Sequence, residues 1–166
     1  IGKNTAPAIA LAALRALEVD ADAQILIQTG DHVIEDMDQF NQALSDAMQK
    51  TGYFCLFGIE PSRAETGYGY LKIQKDHQRI SKVEEFVEKP AKEQAMNFVK
   101  SGSYLWNSGM FLLDAQAYLD ALGEFEPLIL DRVRESWHSQ TIDVDFVRVE
   151  RDAFASIPVC AWQEAT

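Results

Sequence analysis

Asp31 has the setting of a cation ligand: it stands just past the apolar, β-branched run 23–27. In open α/β sheets, ligands bind beyond the carboxyl ends of the strands. A carboxylate there can hold a hard cation such as Mg²⁺, which then bridges phosphate oxygens. A loop aspartate that caps a turn looks the same in a sequence. His32 follows directly and reads as a hydrogen-bonded structural residue, whereas His77 and His138 lie in polar surroundings. Gly67-Tyr68-Gly69-Tyr70 sets two glycines among aromatics. Glycine weakens a strand unless something approaches the backbone closely or a bulge is needed, so a sugar ring and a ligand-free bulge fit equally. Glu88-Lys89-Pro90 joins an acceptor and a cation at a strand end. The carboxylate can accept from adjacent sugar hydroxyls and the lysine can meet a phosphate, although spacing alone favours an exposed ion pair. Trp106-Asn107-Ser108-Gly109-Met110 sets a polar pair inside an apolar segment. Buried polar side chains need partners, which are either a ligand or the backbone. There is no Walker-type loop, GxGxxG, Ser-His-Asp order or zinc spacing.

The elements that must hold these residues read as α/β. Asn4-Thr5-Ala6-Pro7 is a helix start, and the run 8–17 is apolar nearly all round, as a helix buried against a sheet would be. Residues 23–27 and 53–59 read as buried strands, and 38–49 as an amphipathic helix with Phe40, Leu44, Ala47 and Met48 on one face. Helix–strand–helix–strand is the rhythm of a parallel α/β sheet. Residues 66–73 and 82–88 alternate like half-buried strands. Pro90 stops the second of them, 91–101 is a surface helix, and 104–113 is a turn feeding a strand. Helices follow over 115–122 and 127–137, with a further one around 145–156. No repeat, low-complexity run or linker interrupts the chain, so one α/β domain over 1–166 is expected.

Composition narrows the partners. The 166 residues are 47% hydrophobic and carry 15 Lys+Arg against 26 Asp+Glu, a formal net charge of −11. That balance opposes non-specific nucleic-acid binding, yet leaves room for a nucleotide site built from local donors and a divalent cation. No run reaches the ~20 apolar residues of a membrane helix. Cys55 and Cys160 lie far apart in apolar company, which suits free core thiols in a reducing cytosol, so a cytoplasmic protein is expected.

Taken together and in order, these segments resemble the bacterial mannose-1-phosphate guanylyltransferases, the class often fused to a mannose-6-phosphate isomerase domain. The likeness rests on Gly2-Lys3-Asn4-Thr5-Ala6-Pro7, Asp31-His32-Val33-Ile34, Phe57-Gly58-Ile59, Glu65-Thr66-Gly67-Tyr68-Gly69-Tyr70, Phe86-Val87-Glu88-Lys89-Pro90 and Trp106-Asn107-Ser108-Gly109-Met110-Phe111. The resemblance implies a Rossmann-like nucleotidyltransferase (sugar-nucleotide pyrophosphorylase) fold, a mixed sheet flanked by helices. It implies GDP-mannose and pyrophosphate made from mannose-1-phosphate and GTP, with Mg²⁺, for polysaccharide biosynthesis. Asp31 then matches the metal-binding aspartate and Lys89 the lysine at the sugar phosphate, both catalytic. Lys3, Asn4, Thr5 and Ala6 match the wall around the nucleoside, and Gly69, Glu88 and Asn107 the sugar-binding set. Another sugar-1-phosphate and nucleotide pair, or a non-catalytic sugar-nucleotide-binding module, shares the fold.

Two departures stand out. Gln28-Thr29-Gly30 replaces the Pro and small residue usual before the Asp-His pair, and Lys3 stands where the family usually has Arg, keeping charge but losing the bidentate fork. The family's Gly-rich triphosphate loop is expected before Ile1 and its second metal carboxylate after Thr166. The chain therefore reads as a partial domain, incomplete at both ends and not competent alone. Uncovered strand edges make self-association, a homo-oligomer, the expected consequence.

Overall fold

A computed structural model describes residues 2–74, 79–144 and 146–160. In chain order the elements are α1 (Thr5–Leu17), β1 (Gln24–Ile27), α2 (Met37–Met48), β2 (Cys55–Ile59), β3 (Gly69–Ile73), β4 (Val83–Glu88) and α3 (Lys92–Ser101). They continue as β5 (Tyr104–Asp114), α4 (Ala115–Phe125), α5 (Pro127–His138), β6 (Thr141–Asp143), β7 (Phe146–Arg148) and α6 (Arg151–Ala155). The chain forms two compact units, one from the residues up to Ile25 and from Leu113 onwards, the other Leu26–Leu112.

The first unit is helical. Helix α1 buries Ala6, Ile9, Ala10 and Ala13, while Ala8 and Ala12 stay exposed. Where burial against a sheet was expected, α1 buries one stripe, and it does so against helices. Small residues along that stripe let α1 pack against α4 and α5. Tyr118, Leu119, Leu122, Ile129 and Val133 fill the core between them. Helix α4 is capped by Asp114, whose carboxylate accepts from the Ala117 N–H at 3.0 Å, and α5 opens on Pro127, whose missing N–H costs nothing in a first turn. The helix expected around 145–156 is shortened to the five-residue α6, and the residues ahead of it form β7 of the β6–β7 hairpin. Thr141, Ile142, Phe146 and Val147 prefer extended backbone, and Val144 turns the chain at φ 56°.

The larger sheet has the order β1-β5-β3-β4 with β2 also paired to β5, and β2, β3 and β4 lie wholly in the second unit. Pairings β2–β5, β3–β5 and β3–β4 are antiparallel, and none of them joins β1 to β2, the two strands of the stretch read as parallel. Residues 74–82 between β3 and β4 are too few for a parallel crossover. Strands β1 and β2 are half-buried or exposed along their length, not fully buried as expected. On one face Tyr70 and Trp106 meet Ala95 and Phe98 of α3. His77 lies outside the described residues, and among the described residues no helix is long and apolar enough to cross a membrane.

Candidate functional site

Strand register assembles the expected sugar-binding set. Gly69 of β3 is the partner of Glu88 of β4, and Asn107 of β5 is the partner of Gly58 of β2. Because Tyr70 pairs with Trp106, Gly69 and Asn107 are the next residues along their strands. Glu88, Gly69, Asn107 and Gly58 therefore form one row across four strands. Side chains alternate along a strand, so the row looks out from the face opposite Tyr70, Trp106 and α3.

Both glycines in the row are needed for close approach. A Cβ on Gly69 would meet Glu88 Oε2 at 2.8 Å and the Phe86 ring at 3.0 Å, and one on Gly58 would meet Leu105 Cδ1 at 2.5 Å. Side chains of Glu88, Phe86 and Leu105 lean over the sheet there. Asn107 Oδ1 accepts from the Gly109 N–H at 3.2 Å, and Ser108 Oγ from the Met110 N–H at 3.1 Å. The backbone thus satisfies those two oxygens, and the Asn107 amide NH₂ is left as the group a ligand could take. Residues 104–113 are strand throughout, with no leading turn; Gly109 absorbs the irregularity at φ 76°.

Lys89 closes the row with unusual geometry. Its φ is 46°, left-handed for a side chain that carries a Cβ. Consecutive strand residues normally point to opposite faces, and this twist instead brings Lys89 Nζ to 3.3 Å from Glu88 Oε1. The Lys89 N–H donates to the Tyr68 carbonyl at 3.2 Å. A strained non-glycine residue beside a carboxylate is a feature that clusters at ligand sites.

A second group lies behind the row and was not singled out from the sequence. Glu65 Oε1 accepts from the N–H groups of Thr66 at 3.0 Å and Gly67 at 3.2 Å, and Oε2 meets Arg63 at 3.3 Å. These bonds, the Gly67 N–H first, hold the Glu65 carboxyl below the usual glutamate range. The Arg63 guanidinium sits 5.5 Å from the centre of the Trp106 ring, and Tyr68 meets that ring edge-on at 5.3 Å. The Trp106 indole N–H is buried without an acceptor among the described residues. The only visible hint was Glu65 standing just before a Thr-Gly pair.

Asp31 is exposed in the turn after β1, and His32 is exposed beside it. No hydrogen bond or ion pair among the described residues joins Asp31 to the row, and no cluster of three or more His, Cys, Asp or Glu residues occurs among them. In the first unit, the Lys3 carbonyl accepts from the Cys160 N–H at 3.3 Å and the Ala6 N–H donates to the Cys160 carbonyl at 3.2 Å. The buried Tyr118 hydroxyl donates to the Ala6 carbonyl at 3.0 Å. Between these anchors Asn4 and Thr5 are exposed; Asn4 has φ 67° and ψ −163°, and its Oδ1 accepts from the Thr5 N–H at 2.9 Å. Among the described residues, two of the three non-glycine residues with positive φ, Asn4 and Lys89, are thus residues picked out for binding.

Comparison with known proteins agrees with this architecture. The nucleotidyl transferase family matches over residues 1–163. The chain is 45% identical over 159 residues to the xanthan biosynthesis protein XanB of Xanthomonas campestris pv. campestris, covering 95% of this chain and 34% of that protein. It is 43% identical to the mannose-1-phosphate guanylyltransferase of Escherichia coli K12 and 42% identical to the alginate biosynthesis protein AlgA of Pseudomonas aeruginosa, covering 35% and 34% of them. It thus spans about a third of the length of these relatives. A solved Helicobacter pylori structure described as a mannose-6-phosphate isomerase superposes with a TM-score of 0.85 at 29% identity, over 99% of this chain and 65% of that one. A Thermus thermophilus structure shares the fold, with a TM-score of 0.83 at 23% identity over 100% of this chain and 47% of that one. By match and by fold, the chain belongs to the nucleotidyl transferase family.

Proposed function

We propose that this chain carries part of the site at which mannose-1-phosphate and GTP become GDP-mannose and pyrophosphate. The observation that supports it best is the row Glu88, Gly69 and Asn107 with Lys89 at its end. Glu88 accepts from sugar hydroxyls, Asn107 donates through its amide, and Gly69 lets the Glu88 carboxylate lie close against the sheet. Lys89 meets the sugar phosphate as a point charge. Lys3, Asn4, Thr5 and Ala6 line the nucleoside.

The reaction is an in-line displacement: the sugar-phosphate oxygen bonds to the α-phosphorus of GTP, and the bond to the pyrophosphate oxygen breaks. Catalysis of this kind rests on positioning and electrostatics. Asp31 would hold the Mg²⁺ that offsets the phosphate charge. A single exposed carboxylate fits that ion, which commonly keeps several waters and takes its other oxygens from substrate phosphates. Net charge of −11 makes local cations such as Lys3 and Lys89 the more necessary for anionic ligands. The relatives named for guanylyl transfer, xanthan and alginate support the mannose branch and a place in polysaccharide biosynthesis.

Calorimetric titration with GDP-mannose plus Mg²⁺, with UDP-glucose as control, tests the reading. The expected result is selective binding of GDP-mannose, weakened about tenfold or more in Glu88→Ala, the scale of one lost charge-assisted hydrogen bond. Selective binding of UDP-glucose would overturn the mannose assignment.

A further inference from the structure

We propose that Glu65 is a positioning residue for the phosphate-binding lysine, acting with the Tyr70 hydroxyl through the turn at residues 65–68. The inference deepens the proposed function and rests on it for the identity of the ligand. The turn is held from both of its sides. Tyr70 is fully buried, its Oη accepts from the Glu65 N–H at 3.0 Å, and its O–H donates to the Glu65 carbonyl at 2.8 Å. A phenol can do both at once. The Glu65 side chain then folds forward over its own backbone and takes the N–H groups of Thr66 and Gly67. Glu65 thus ties the turn down through its backbone and its side chain together. At the far end of the turn, the Tyr68 carbonyl accepts from the Lys89 N–H at 3.2 Å.

That last bond gives the turn its reach. Lys89 adopts a left-handed backbone that L side chains disfavour, and a fixed acceptor opposite its N–H helps to hold it there. The same twist aims Nζ to the side of Glu88. Glu65 lies behind the sheet row, so its effect on a ligand runs through Tyr68 and Lys89. Arg63 balances the Glu65 charge and rests on Trp106, which ties the turn to the core beneath.

The test follows amide hydrogen exchange at Lys89 and titration with mannose-1-phosphate, in the full chain and in Glu65→Ala and Glu65→Gln. Leu71, in the ladder of β3, is the control amide. In Glu65→Ala the Lys89 amide should exchange about tenfold faster and mannose-1-phosphate should bind about tenfold more weakly, with Leu71 unchanged. Glu65→Gln keeps an oxygen acceptor and should restore both. Unchanged exchange at Lys89, an equal rise at Leu71, or faster exchange with unaltered affinity would each overturn the proposal. A native chain that shows no affinity for mannose-1-phosphate counts against the proposed reaction, and the exchange readout still decides whether Glu65 positions Lys89.

Discussion

Lys89 combines two roles that substitution can separate. Its side chain supplies a cation next to Glu88, an exposed ion pair that contributes little by itself. Its backbone, at φ 46°, costs about 1–2 kcal/mol because a Cβ crowds the following carbonyl. Lys89→Ala removes the cation and keeps the strain, whereas Lys89→Gly removes both. Glycine gives back part of that gain as unfolded-state entropy. The glycine variant should therefore be the more stable of the two by about 0.5–1 kcal/mol in urea unfolding. Both should lose affinity for mannose-1-phosphate to a similar degree. Equal stabilities would mean that the left-handed geometry carries no more strain than glycine's entropic cost; an unaltered affinity in either would remove Lys89 from the site. The exposed ion pair of Glu88 and Lys89 was legible from Glu-Lys-Pro at a strand end. The lysine's backbone was not, because nothing in the sequence announces a positive φ at a non-glycine residue. Glu65 escaped for a related reason: its oxygens are used on neighbouring N–H groups, and a carboxylate bound to its own turn looks like any surface glutamate.

Among the elements, long periodic segments were read well and short ones poorly. Helix α2 runs Met37–Met48 where 38–49 was expected, and α3 and α5 shift by a residue at one end. Amphipathic repetition over three turns specifies such helices locally. The hairpin β6–β7 and helix α6 lack that redundancy, and α6 depends on a single cap. Glu150 accepts from the N–H groups of Asp152 at 2.9 Å and Ala153 at 2.6 Å, while its own N–H donates to the Ser136 carbonyl at 3.1 Å. The bonds to its carboxylate, that from Ala153 first, hold the carboxyl below the ordinary range. Its folded-state value is thus lower than its unfolded one, so the cap's contribution is complete above about pH 4.3 and is lost as pH falls through the folded value. Glu150→Gln keeps an acceptor without the charge. Unfolding midpoints of the native chain and this variant should therefore differ at pH 6, and the gap should close as pH falls through the lowered folded value. A gap that stays constant over that interval would assign the stabilisation to something other than the ionised cap.

At the scale of the whole molecule, the α/β class was readable and the division into two units was not. The chain leaves the first unit at Ile25 and returns to it at Leu113 with no linker, glycine run or change of composition at either point. The neighbour of each strand was equally hidden, since which strand lies beside β5 depends on residues far apart in the sequence. The division does sort the residues proposed for binding: Lys3, Asn4, Thr5 and Ala6 belong to the first unit, and Asp31, Gly69, Glu88, Lys89 and Asn107 to the second. A perturbation confined to one unit should then separate the two ligands. Tyr118 offers one, because its buried hydroxyl donates to the Ala6 carbonyl at 3.0 Å inside the first unit. Burial pushes that hydroxyl's titration well above the usual tyrosine range, so it remains a donor at any working pH. Tyr118→Phe keeps the ring in the core and removes the bond, at a cost of about 1–1.5 kcal/mol. The first turn of α1 loses an anchor, and GTP affinity should fall about threefold or more while mannose-1-phosphate affinity holds, as expected of sites with no shared partner. Titrating the variant with each ligand in turn decides it. Equal losses for both would mean that the nucleoside and sugar residues respond as one site despite their separate cores, and unchanged GTP binding would take the anchored Lys3–Ala6 segment out of the nucleotide wall.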